Sequence, residues 1–101
     1  MKAMVIHLAL VMPSRGGRRT PMETGYVGNL RADGRITAVE LTFSDRDELS
    51  PGAVCYAIAR LPNWEYVADR ICLGSEFEVI EGARVVGKGK VIEFEGPESS
   101  E

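Results

Sequence analysis

The stretch Glu81–Glu95, EGARVVGKGKVIEFE, can be read as two incompatible folds. Counted from Gly82 it gives Gly, four residues, Gly87 and Lys88, the opening of a phosphate-binding P-loop, which requires a strand before the loop and a helix after it. Read for turn chemistry, it gives a tight reversal at Gly82 followed by one long strand from Arg84 to Phe94. Two residue-level tests decide between them. The position after the lysine, where a P-loop needs Ser or Thr to hold magnesium, is Gly89, and the residues that follow, KVIEFE, have the Val, Ile and Phe content of a strand. The hairpin reading stands, and no nucleotide or other cofactor is expected. Gly87 and Gly89 then share one strand face, where a bulge or a close approach of backbone calls for glycine.

The same punctuation recurs along the chain. Short apolar runs separated by Gly and Pro predict strands at Ala3–Met12, Tyr26–Ala32, Ile36–Phe43, Ala53–Leu61, Glu76–Glu81 and Arg84–Phe94. Val39, Leu41 and Phe43, and likewise Val54, Tyr56 and Ile58, alternate with the period of two that turns one face to a core. Asp33-Gly34 is a favoured two-residue hairpin turn, and Pro51-Gly52 marks another reversal. Six strands without a helical stripe predict an all-β fold, either a sandwich or a closed barrel, closure having the advantage of removing exposed edges. RLPNWEYVADRICLG is less regular and is expected to form a helical turn over one barrel end. Residues 1–95 are read as one domain, and EGPESSE supplies a polar, flexible acidic tail over residues 96–101.

Composition narrows the functional classes. The chain of 101 residues is 45% hydrophobic and 27% charged, ordinary for a globular domain. A net charge of −3 argues against a general nucleic-acid coat, which needs clustered Lys and Arg. The apolar start, MKAMVIHLALVM, is followed at once by PSRGGRR and reads as a first strand and not as a signal or membrane segment, so a cytoplasmic location is expected. Cys55 and Cys72 sit between apolar neighbours without metal spacing, and both are expected to be buried thiols. His7, the only histidine, has no nucleophile beside it in sequence and reads as structural or surface-exposed. Asp45, Asp47 and Glu48 lack the pattern of a calcium loop, and no metal site is expected. No acid/base pair or activated nucleophile points to an enzyme.

Two stretches remain as binding candidates. SRGGRRTP carries Arg15, Arg18 and Arg19 around a Gly pair, a loop suited to phosphate or acidic groups. Trp64 and Tyr66 offer aromatic contact surface for a protein partner, or packing over a barrel end.

GGRRTPMETGY, Gly16 to Tyr26, resembles the GGRxTPxxxGY pattern of the C-terminal, third β-barrel domain of translation elongation factor Tu. VEL at Val39–Leu41, PG at Pro51-Gly52, and FEVIEGARVVGKG from Phe77 against the family's FAIREGGRTVGAG follow in the same order, so the resemblance runs from Ile6 to about Phe94. It implies a six-stranded antiparallel Greek-key barrel standing alone, without the GTPase domain. It also implies that the opening stretch is a hairpin that binds no nucleotide.

In that family the barrel touches the T-stem backbone of tRNA and meets protein partners. The family's T-stem contact residues fall on Asn29, Glu81 and Arg84. The departures cluster on that side: Arg-Pro of the family is Val27-Gly28, its loop histidine is Arg19, and about two residues are missing before Val39. About four residues are added around Trp64. The expectation is therefore a non-catalytic module for a protein partner, translation-related, regulatory or a toxin, with tRNA T-stem binding as the alternative.

Overall fold

The structure, a computed structural model, describes residues 1–95; the expected acidic tail, 96–101, lies outside the described residues. Eight strands are present: β1 (Lys2–Leu10), β2 (Met22–Glu23), β3 (Tyr26–Ala32), β4 (Arg35–Thr42), β5 (Glu48–Leu49), β6 (Val54–Leu61), β7 (Glu76–Glu81) and β8 (Arg84–Phe94). All pairings are antiparallel, and six of the strands close a barrel in the order β1-β6-β4-β3-β7-β8. Three consecutive barrel strands, β3, β4 and β6, lie side by side, and β1 returns beside the last of them, which is a Greek-key connection. The β1–β8 pairing completes the circle and leaves no free edge among the six. No helix among the described residues is long and apolar enough to cross a membrane.

The turns form where their chemistry places them. Asp33 and Gly34 both take positive φ, 49° and 85°, which fits a primed hairpin turn whose twist matches the flanking β3 and β4. Glu81 faces Arg84 across the next hairpin.

Side-chain size decides how the barrel fills. β1 points Met4, Ile6, Leu8 and Leu10 inward, all buried. It lies between β6, which contributes Cys55, Ala57 and Ala59, and β8, which contributes Gly87 and Gly89. Large residues on the middle strand thus meet small ones on both neighbours, as the interior of a narrow barrel requires. Gly89 shows how tight the fit is: a Cβ there would lie 2.4 Å from the Phe77 ring. Register shifts interrupt β8 twice, between its pairings with Val79 and Ile80 and between its pairings with Val5 and Ile6; they fall at Val86 and Ile92, so Gly87 and Gly89, which pair in regular register, meet the expected close approach and not a bulge.

Two sequence expectations are corrected. Val54 and Tyr56 face out, while Cys55, Ala57, Ala59 and Leu61 fill the core; the larger set would overfill the space beside β1. Cys72 is exposed, because it leads into the turn that carries Gly74, while Cys55 is buried as expected. Both thiols are free.

The barrel ends are covered differently. At the end where β1 finishes and the β7–β8 hairpin turns, the segment after β1 folds over, and the β2–β5 pair seats Met22 and Leu49 in the core. At the other end the irregular segment forms two 3-10 turns, Trp64–Tyr66 and Ala68–Arg70, which bury Val67.

Candidate functional site

The hairpin end is organised by the Arg-rich loop. After β1, the amide of Val11 donates to Val86 O at 3.0 Å, and a 3-10 turn at Pro13–Arg15 leads into the Gly pair. Gly17 is packed so closely that a Cβ would meet Val11 O at 2.0 Å, so the loop is pressed on the strand it leaves. This aims Arg18 at Glu81, with which it forms an ion pair, and its guanidinium also donates to Thr20 O at 3.2 Å and Pro21 O at 3.1 Å. Tyr26 lies beneath: its hydroxyl donates to Glu81 Oε2 at 2.8 Å, and Arg18 stands 5.6 Å from the ring centroid. Burial, and then the hydrogen bond to Glu81, push the Tyr26 phenol up to about 12, because the phenolate would lose a favourable donor role beside a carboxylate.

The consequences for the candidate residues differ. Arg18 and Glu81 are occupied with each other. Arg15, Arg19 and Arg84 are exposed and have no carboxylate partner among the described residues. Asn29 is exposed on the outer face of β3, opposite Ile80 of β7. Arg84, Asn29 and the loop therefore share this end of the barrel.

Trp64 and Tyr66 belong to the opposite end. Trp64 packs edge-on against Phe94, with ring centroids 5.7 Å apart, and the Lys2 ammonium lies 5.0 Å from the Phe94 ring and 5.8 Å from Trp64. It is a half-buried cap of the core. Tyr66 stays 55% exposed, with Arg35 stacked 5.5 Å from its ring and donating to its carbonyl at 3.0 Å. The basic loop and the aromatic pair therefore do not form one site.

A third region was missed by the sequence. On the outer wall, β6, β1 and β8 align two rows of side chains: Val54, Ala9 and Lys88 in one, Tyr56, His7 and Lys90 in the next. His7 meets Tyr56 edge-on at 5.4 Å. Tyr56 is 61% exposed, Val54 52%, and Met12, which leans toward Gly52 at the start of β6, 50%. The signal that could have found it is the run VCYAIA, whose two faces are both apolar, so one of them must be left outside.

Among the described residues no group of three His, Cys, Asp or Glu side chains is arranged to hold a metal. Gly82–Lys88 is hairpin and strand and builds no loop before a helix, so it has no phosphate cradle of the P-loop kind. No protein-family model and no curated protein matches this chain.

Proposed function

We propose that this barrel is a non-catalytic binding module that engages a protein partner, and that it resembles the third domain of elongation factor Tu. The observation that carries this reading is the outward face of β6. A closed barrel that could have been walled with polar residues instead leaves Val54 and Tyr56 exposed, with Met12 beside the start of the strand. Grouped large apolar residues with an aromatic among them mark contact surfaces for other proteins. The partner class is one that meets such barrels: a translation-related protein, a regulatory factor or a toxin. Affinity capture from source cells with the wild type and with Tyr56→Ser tests it. A partner held by the first and lost by the second supports the reading, and an unchanged partner set contradicts it.

RNA is the second reading, favoured by Arg15, Arg19 and Arg84, exposed and without carboxylate partners among the described residues at one barrel end, with Asn29 nearby. Against it stands Glu81, whose carboxylate is already engaged by Arg18 and Tyr26. Titration with tRNA at two salt concentrations separates the readings, because a phosphate-gripping site weakens steeply as salt rises.

A further inference from the structure

The outer wall carries more than exposed apolar area, because its rows change character from strand to strand. On β6 they begin with Val54 and Tyr56, pass over the small Ala9 and the flat His7 on β1, and end with Lys88 and Lys90 on β8. A groove of about 510 Å³ adjoins this wall on its β8 side and extends toward β7: His7, Lys88 and Lys90 line it together with the acidic Asp33, Glu76 and Glu78, while Val54 and Tyr56 stand outside its lining on β6.

Two of the three acidic groups in the lining of the groove are engaged by arginines. Glu78, opposite Lys88 in register, is paired with Arg31, whose Nε and Nη2 donate to it at 2.9 and 2.5 Å. Glu76 stands opposite Lys90 without forming an ion pair to it. Asp33, also in the lining, is engaged by Arg70 at 3.1 Å. Both ammonium groups are exposed and form no ion pair among the described residues, and they lie next to the apolar, aromatic strip of β6.

We propose that this wall docks a peptide segment of the partner that alternates acidic and apolar residues, its carboxylates on Lys88 and Lys90 and its apolar side chains against Tyr56 and Val54. This rests on the protein-partner reading above and deepens it. Charge complementarity selects the occupant: with Glu78 and Asp33 engaged by Arg31 and Arg70, the two ammonium groups outnumber the one remaining carboxylate of the groove, that of Glu76, so local positive charge lies beside the apolar strip. Tyr56, held edge-on by His7, serves as the anchor because an aromatic ring with few torsions loses little entropy when covered.

The test is fluorescence anisotropy on the full chain with a labelled peptide of alternating Glu and Leu, beside a Lys and Leu counterpart. The expected result is binding of the acidic peptide alone, weakened at least about tenfold by Lys88→Glu/Lys90→Glu and also by Tyr56→Ser, with Arg84→Glu unchanged. All four substitutions fall on exposed side chains, and unchanged melting curves certify that each variant is folded. Wild-type affinity in the Lys88→Glu/Lys90→Glu variant overturns the site. Loss of peptide binding on Arg15→Glu/Arg19→Glu/Arg84→Glu instead overturns the site while leaving the protein-partner reading intact. Binding of neither peptide, together with salt-steep binding of tRNA, overturns both.

Discussion

Arg18 reaches across sixty-three positions of sequence to pair with Glu81, and the same carboxylate receives the Tyr26 hydroxyl. This ties the loop after β1 to the hairpin that precedes β8, so that three distant segments share one half-buried charge. Arg18→Ala removes the pair and the contacts to Thr20 and Pro21, and is expected to cost about 1–2 kcal/mol, more than an exposed ion pair because the groups are partly desolvated. Chemical denaturation measures it. Glu81→Gln should add less in the Arg18→Ala background than alone, and strict additivity would show that the two side chains do not act together.

Tyr26 gives this cluster a pH dependence. Its folded-state pKa, about 12, lies above the ordinary value of 10.0, so the folded protein holds the phenolic proton longer than the unfolded chain. The associated stability is fully present below about pH 10 and is lost as the pH rises toward about 12. Ultraviolet titration should show one tyrosine ionising near the top of that window, absent from Tyr26→Phe. The melting temperature of the wild type should fall over the same range more than that of the variant.

Gly89 is a packing requirement and not a ligand-binding feature. Gly89→Ala places a methyl against the Phe77 ring, and the expected destabilisation is about 1–3 kcal/mol for overpacking a closed interior. Adding Phe77→Leu should recover part of it, since the obstructing atoms are then gone. No recovery would place the strain in the backbone of β8 instead.

The two thiols are expected to separate by accessibility. Cys72 is exposed at 3.4 Å from the Ser75 hydroxyl, whereas Cys55 is buried and burial pushes its thiol up, away from the reactive thiolate. A maleimide or disulfide reagent under native conditions should modify Cys72 and leave Cys55 untouched until the barrel unfolds, as mass spectrometry of the labelled peptides would show.

The barrel was legible because its strands announce their own ends. Glu76–Glu81, Tyr26–Ala32 and Arg84–Phe94 begin and end where the turn residues predicted, and the remaining barrel strands shift by one or two residues. β2 and β5, two residues each, are too short to show any period, and only the burial of Met22 and Leu49 reveals why they exist. On β6 the period was visible but its direction was not: Val54, Tyr56 and Ile58 look like a core face until β1 is known to lie alongside with Met4, Ile6 and Leu8. The Arg18–Tyr26–Glu81 cluster depends on three segments meeting in space, which no local pattern encodes. Arg15, Arg19, Arg84 and Asn29 were identifiable as candidates, but their separation from Trp64 and Tyr66 became visible only when the chain was folded.

The central claim, that the β6–β1–β8 wall meets a protein, is tested most directly by placing a benzophenone-bearing aromatic residue at position 56, and separately at positions 73 and 84, in the full chain in source cells. An aromatic replacement keeps the ring at Tyr56, and Leu73, 62% exposed in the turn before β7 and outside both rows of the wall and the lining of the groove, serves as the control. The expected outcome is a discrete protein adduct at position 56, none at position 73, and loss of the adduct when Lys88 and Lys90 are changed to Glu. A nuclease-sensitive adduct at position 84 with none at position 56 would contradict the account and move the function to RNA.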